Sequence, residues 1–365
     1  MQILTSSQKN DCIHARQIAF FAAFVLPLAK FVEAPSILAK SAMGDLLLPA
    51  LMHCLLQAGA LALTLFLLSR LGKPLVEVIE ERLGVWKWAV YIPYALFFLF
   101  FAVLPLLDLE KFVYAVFYDT PPTLFTFLFF FPVAGFICAK GIKTLGRFSD
   151  IALFLFLLPF IGLIVFSIEE ADISGLLPLF EQPATSLFTA WRNTLPHFSD
   201  FVLLLPLISR IKPQKPDSKK ILVGYGAGCI FTLLFLTIFY ALFSTIAFKQ
   251  HYAFSKIAQY FPVLATVGRI DLLLVYILCI LLFFYTALPL FYAVDCLATP
   301  SAISRKSLLS AITCFGFFLF TLFCNRYYNS LYYLYTQKLF WIFILFSFLP
   351  LFALPFIKRN KEHAT

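Results

Sequence analysis

The sequence predicts an all-α integral membrane protein with ten membrane-spanning helices. The chain of 365 residues is 62% hydrophobic and only 13% charged, with a mean hydropathy of +0.91, whereas a soluble domain carries about 25% charged residues. Apolar runs long enough to cross a bilayer recur along the chain. Proline and ionisable residues interrupt two of these runs. We therefore expect a single transmembrane domain over residues 1–365.

The predicted spans follow one another along the chain. They are Gln17–Ala39, Leu46–Ser69, Trp88–Leu107, Pro122–Ala139, Ser149–Ile168, Ala184–Ser209, Lys220–Phe248, Ile270–Leu297, Lys306–Cys324 and Gln337–Ile357. An even number of spans places both termini on the same side of the membrane.

The distribution of Lys and Arg predicts which side that is. With a cytoplasmic N-terminus, the inner segments hold 19 of the 28 Lys and Arg residues and the outer segments hold seven. The outer loop from Glu169 to Pro183 has four acidic residues and no Lys or Arg. Both termini are therefore predicted to be cytoplasmic. The net charge of +9 is then a topology signal, and no nucleic-acid partner is expected.

Spans one and six are each interrupted near mid-membrane. Span one reads PLAKFVEAP from Pro27 to Pro35, and span six reads TLPHFSD from Thr194 to Asp200. Proline removes a backbone donor, and unwound backbone at that depth is tolerated only where it is buried or lines a cavity. Paired interruptions indicate a transporter-type binding site between two inverted repeats, here placed at about 17–168 and about 184–357.

Two loops support this five-plus-five arrangement. The segment PLVEVIEERLG, between spans two and three, has apolar residues at helical spacing and predicts a cytoplasmic interfacial helix. The segment HYAFSKIAQYFP, between spans seven and eight, shows the same spacing from Phe254 to Phe261. In an inverted repeat the second helix would be an external lid. The alternative is a pair of unrelated surface helices.

The candidate ligand-binding residues lie at the two breaks: Lys30, Phe31, Glu33, Ala34, Thr194, His197, Phe198, Ser199 and Asp200. A charge at the centre of a membrane helix costs about 2.5–3.5 kcal/mol on insertion scales. Four of the charged residues are therefore expected to form one balanced network: Lys30, Glu33, Arg192 and Asp200.

This combination of groups suits a zwitterion such as an amino acid. The half-helix N-termini after each break offer positive dipole ends to an anionic group. The acids and the free carbonyls offer a place for an ammonium. The alternatives are an ion-pair network with a purely structural role and, for His197, a structural hydrogen bond.

Other chemistry has no supporting pattern. The sequence contains no metal-ligand spacing, nucleophile elbow or phosphate loop, so no metal, cofactor or enzymatic activity is predicted. The eight cysteines form no CxxC pair and are interpreted as small apolar residues. Gly224 and Gly228 have the spacing of close helix packing. Asp108 and Asp271 fall near the ends of predicted spans, where a solvated position is expected.

Five segments occur in a recognisable order: IHARQ (13–17), APSILA (34–39), KGIKTLGRFSDI (140–151), HFSDFVLLLPLI (197–208) and FPVLATVGRIDLLLVY (261–276). Together they resemble the spore germination permease family, the B subunits of nutrient germinant receptors. The chain departs from the family pattern at two places. Ser199 and Asp200 stand where the family usually has Gly-Glu. Lys30 stands where many relatives are glycine-rich, so that a tethered ammonium is placed to fill a cation site.

The resemblance implies the LeuT-like fold of the amino acid–polyamine–organocation transporter superfamily. It also implies a B-type receptor subunit in the spore inner membrane. This subunit would bind a small nutrient, expected to be an amino acid, and would trigger germination with A- and C-type partner subunits. Two alternatives stay open: a stand-alone proton-coupled amino acid transporter, and a structural or channel-forming scaffold without a ligand.

Overall fold

The computed structural model describes residues 13–71, 74–117, 128–177, 180–211, 214–259, 270–301, 306–338 and 340–353. Every regular element in these ranges is helical. Six helical stretches of this part are long and apolar enough to cross a membrane, and a bent pair over residues 328–349 would make a seventh. The predicted count of ten stays a prediction, because each half of a broken span is too short to be counted by length.

The described helices of the first half are α1 (Ala15–Phe24), α2 (Ala34–Ala42), α3 (Leu47–Leu71), α4 (Leu75–Leu83), α5 (Trp88–Phe117), α6 (Phe130–Lys140) and α7 (Ile142–Ser167). Those of the second half are α8 (Ala184–Thr194), α9 (Asp200–Ile208), α10 (Lys215–Phe243), α11 (Ala253–Gln259), α12 (Ile270–Ser301), α13 (Lys306–Asn325), α14 (Tyr328–Tyr333) and α15 (Phe340–Ala353). Several of these helices differ from the predicted spans. Helix α5 runs ten residues beyond the predicted end of span three, and α7 begins seven residues before the predicted start of span five.

Both predicted breaks are present. Between α1 and α2 the chain forms a 3-10 turn over Leu26–Lys30, with Pro27 in its first turn. Pro35 then lies in the first turn of α2, where its missing N–H costs no helical hydrogen bond. Between α8 and α9 the chain turns at Leu195 to Phe198 around Pro196. Asp200 follows in the first turn of α9, where the helix dipole favours a negative charge.

Helix α10 crosses α1 at very short distance through two glycines. A Cβ atom on Gly224 would lie 2.4 Å from the carbonyl oxygen of Ala19, and one on Gly228 would lie 2.5 Å from that of Ala22. No side chain fits in that space. The interpretation of this glycine pair as a close-packing site is confirmed.

The two loop helices contact the broken spans through their first turns. In α4 the backbone N–H of Val76 donates to the carbonyl of Ser209, just past the end of α9, over 3.3 Å. At the start of α11, Ala253 and Phe254 donate to the carbonyls of Val32 and Phe31 over 2.8 and 3.0 Å. Each loop helix therefore satisfies carbonyls that a broken or ending helix leaves free.

The start of span one is bound to α7. The side chains of Arg16 and Gln17 both reach Asp150, at 3.2 and 2.9 Å. Gln17 also lies against Gly146, where a Cβ atom would come within 2.7 Å of its Oε1. Two segments that carry the family resemblance, IHARQ and KGIKTLGRFSDI, thus meet in space.

Candidate functional site

A buried ion pair joins the two breaks. The Nζ atom of Lys30 lies 2.6 Å from Oδ1 of Asp200, and the two residues are only 2% and 4% exposed. The ammonium also donates to the carbonyl of Leu26 over 3.0 Å. The hydroxyl of Tyr225, on α10, donates to the second carboxylate oxygen over 3.1 Å. Both charges are therefore compensated and hydrogen-bonded, which burial of an ion pair requires.

The other two members of the predicted four-charge network lie elsewhere. Arg192 donates to the side chain of Gln337 over 2.9 Å, and Gln337 in turn donates to Asn193. Glu33 interacts electrostatically with Lys111 and Asp108 of α5. The structure therefore separates the expected network into one pair and two other residues. Glu33 lies on the non-helical backbone of the first break and faces α5, whereas Arg192 lies on α8, before the second break, and faces Gln337.

Polar side chains of α3 support the second break. The ring of His53 is fully buried between Trp191 and Phe198, with centroid distances of 5.2 and 4.5 Å. Its Nε2 lies 2.9 Å from the carbonyl oxygen of Trp191. One turn further along α3, Gln57 accepts the backbone N–H of Phe201 over 3.0 Å. These contacts satisfy the backbone at the end of α8 and at the start of α9.

A cavity of about 50 Å³ lies between the breaks, α5 and α12. That volume has room for a few water molecules. Glu33 and His197 are the two candidate site residues in its wall. The remaining polar or aromatic lining comes from Asp108, Tyr285, Thr286, Tyr335, Phe101 and Phe112.

The candidate residues outside the cavity wall hold the breaks in shape. Phe31 stacks on Phe235 at 4.2 Å between ring centroids. Ala34 is buried at the start of α2. Thr194 and Ser199 donate to backbone carbonyls of the preceding turn, at 2.8 Å in both cases. The ring of Phe198 lies 5.3 Å from the Lys30 ammonium, a cation–π distance.

Asp108 is the site residue that the sequence interpretation missed. It was expected in a solvated position at the end of span three, but α5 continues past it and the residue is 8% exposed. Its Oδ1 accepts the hydroxyl of Tyr328 over 2.7 Å. Asp271 is likewise buried, at 1% exposure. An ionisable residue followed by a further apolar stretch, Phe112 to Phe117, is the sequence signal that would have found Asp108.

Tyr252, at the start of the predicted lid, lies close to these acids. Burial, and after it the negative charges of Glu33 and Asp108, raise the pKa of Tyr252 to about 12. Tyr252 immediately precedes α11, and its ring packs 5.4 Å from that of Phe112 on α5. The hydroxyl therefore stays protonated at any physiological pH and is available as a hydrogen-bond donor.

The comparison that decides the family is a profile described as spore germination protein, which matches residues 17–329. The chain belongs to the spore germination permease family. As a spore permease it is a multi-pass membrane protein, and its partners include the lipid bilayer. No curated protein matches the sequence. Among the residues that the structure describes, no three His, Cys, Asp or Glu side chains come close enough together to hold a metal ion.

A solved structure titled "Inward facing conformation of Mhp1" is similar to this spore permease. The similarity has a TM-score of 0.57 at 12% sequence identity, and covers 99% of this chain and 80% of that chain. At this identity the similarity shows the fold alone. The predicted fold class, an all-α LeuT-like membrane fold with broken helices one and six, is thereby confirmed.

Proposed function

We propose that this spore permease is the B-type membrane subunit of a germinant receptor, and that it binds a small nutrient, an amino acid, between its two broken helices. The observation that carries the proposal is the cavity between the breaks, with ionisable groups in its wall. A purely structural membrane helix bundle gains nothing from ionisable groups around a cavity, since each costs free energy to bury. Family membership supports a role in spore germination.

The geometry suggests how binding would be transmitted. The Lys30–Asp200 pair links break one to break two. A ligand that displaces one break would therefore also displace the other. The start of α11 is bonded to break one and the start of α4 to the end of span six. Ligand binding would therefore reach both membrane faces through two short helices. In the proposed assembly, A- and C-type subunits in the spore inner membrane receive this change.

The same geometry has a consequence for coupling ions. Asp200 already has its counter-charge, because the Lys30 ammonium is bonded to it. A free sodium ion would have to displace a tethered cation in order to use this carboxylate. We therefore expect nutrient binding that does not depend on sodium.

The test is a germination assay with spores that lack this gene. Complementation with the wild-type gene should restore the response to an amino acid, and complementation with Asp200→Asn should not. Spores that germinate equally well without the gene would contradict the receptor role. Proton-coupled uptake of an amino acid by the purified protein in liposomes, in the absence of other subunits, would favour the stand-alone transporter. A protein that neither restores the germination response nor takes up an amino acid would be a structural scaffold.

A further inference from the structure

Among the described residues, the cavity between the breaks has two acidic side chains and no Lys or Arg in its wall. Glu33 projects into it from the linker of span one, and Asp108 from α5. Lys111 of α5 interacts with both acids and also with Glu110. The Nζ atom of Lys111 lies over the ring of Tyr328, 2.8 Å from its centroid. A single lysine charge therefore interacts with three carboxyl groups.

A second observation indicates that the cavity is built for a ligand. The Nε2 atom of His197, in the cavity wall, is buried and hydrogen-bonds to no described group. Leaving a buried polar atom without a partner costs about 1–3 kcal/mol. The nearby Lys30 ammonium does not offset this, because it is already committed to Asp200 and Leu26.

The number of hydrogen-bond acceptor groups in the cavity wall matches the number of donors on an alkylammonium group. The two carboxyl groups and the unpartnered ring nitrogen of His197 present three groups that can accept a hydrogen bond around one small space. An alkylammonium group has three N–H donors and no acceptor. A carboxylate or phosphate would instead place its negative charge against two acidic side chains in a site of low dielectric, where like charges repel strongly.

We propose that this cavity binds the ammonium group of a small amine or amino acid, held between Glu33 and Asp108 with His197 as the third acceptor. This rests on the proposed function and deepens it, since it names the part of the nutrient that is recognised and the two acids that hold it. The apolar wall, which includes Phe101 and Leu104, receives a short alkyl group. Tyr252 at the lid lies beside the same acids and closes over the bound amine.

The test compares L-alanine with two of its fragments: ethylamine, which lacks the carboxylate, and propionate, which lacks the ammonium. Binding to the purified full-length protein in lipid nanodiscs is measured by titration calorimetry. Ethylamine and L-alanine should bind, and propionate should not. Glu33→Gln and Asp108→Asn should each weaken binding by about 10- to 100-fold, the effect expected for one charge-assisted hydrogen bond. The matched control Glu170→Gln changes an exposed loop residue and should leave the affinity unchanged.

Three outcomes would overturn the inference: propionate binding as tightly as ethylamine, unchanged affinity in Asp108→Asn, or no binding of either amine to folded protein. Circular dichroism and thermal unfolding of each variant separate lost binding from lost folding. Amine binding that depends on Asp108, in a protein whose loss leaves germination intact, would contradict the receptor role while supporting the amine site.

Discussion

The Lys30–Asp200 ion pair shows how a membrane interior accommodates two charges. Desolvation of both groups is costly, and their mutual attraction offsets it only when the remaining donors and acceptors are also satisfied. Here Lys30 has two acceptors, and Asp200 receives both Lys30 and the Tyr225 hydroxyl. The pair is therefore expected to specify the relative position of the breaks more than to add stability.

Removing one partner should be far more damaging than removing both. Lys30→Met leaves a buried carboxylate without a counter-charge and should destabilise the protein by about 3–5 kcal/mol. Adding Asp200→Asn removes the orphan charge, so the double variant should recover most of that stability. A double-mutant cycle, read by thermal unfolding in one detergent, measures the coupling.

The exposed pair Arg16–Asp150 is the matched control for this cycle. Its side chains are 68% and 33% exposed, and exposed pairs contribute about 0–1 kcal/mol. The cycle over Arg16→Met and Asp150→Asn should therefore show little coupling. Additive effects for Lys30 and Asp200 would mean that their charges do not meet in the folded protein.

At the residue scale the sequence predicted this contact but not its surroundings. Lys30 and Asp200 each interrupt an apolar run beside a proline, which marks both as buried charges at a break. Nothing in the spacing shows the direction of a side chain on unwound backbone, so Glu33 and Arg192 were grouped with the pair. Asp108 was missed because hydropathy placed the end of span three at Leu107, whereas the helix continues to Phe117.

Helices α1 and α10 depend on two glycines for their close contact. In membranes, helix association relies on such small residues, because apolar side chains gain little by leaving lipid for protein. At Gly224 a Cβ atom would meet backbone of Ala19 at 2.4 Å, and backbone cannot rotate away. At Gly226, on the same helix, a Cβ atom would meet nothing within 4 Å.

Gly224→Ala and Gly226→Ala therefore form a matched pair. The first should push α1 from α10 and lower the free energy of unfolding by about 1–3 kcal/mol, the cost of overpacking. The second should be neutral or stabilising by up to about 1 kcal/mol, since alanine favours a helix. The midpoints of thermal unfolding compare them directly. Equal losses in both variants would show that helix propensity, rather than the α1–α10 contact, governs the effect.

The lid helix α11 offers a kinetic prediction. Phe254 is 1% exposed and its ring lies 6.5 Å from that of Phe31 in the first break. Phe254→Ala should loosen this contact and increase both the association and dissociation rates of the nutrient. Stopped-flow binding measures the two rates. Phe248→Ala changes a residue at the end of span seven that is 41% exposed and should leave both rates unaltered. Identical rates in Phe254→Ala and in the wild type would reject the lid role.

At the element scale, periodicity predicted the positions of the helices but not the contacts that fix them against the rest of the protein. The helical spacing around Phe254 and in PLVEVIEERLG placed α11 and α4, although Phe261, the last residue of the predicted lid, lies outside the described residues. The hydrogen bonds from α11 to break one depend on chain segments more than 200 residues apart. No local pattern in a sequence carries that information.

At the scale of the whole molecule, the sequence predicted two broken spans in corresponding positions, and the similarity to Mhp1 confirms the fold. The contacts of α4 and α11 are consistent with a five-plus-five repeat, since each loop helix meets the broken span of the other half. The boundaries of the two repeats and the orientation in the membrane stay predictions.

The orientation can be tested at two positions. With a cytoplasmic N-terminus, Ile173 lies outside and Lys219 inside. Ile173 is 62% exposed in a loop fixed by Asp45, whose carboxylate accepts the N–H groups of Phe180 and Gln182 at 2.6 and 2.8 Å. In a background without native cysteines, Ile173→Cys should react with a membrane-impermeant maleimide on intact cells, and Lys219→Cys should react only after permeabilisation. The reverse pattern would invert the topology and place the α11 lid on the cytoplasmic face.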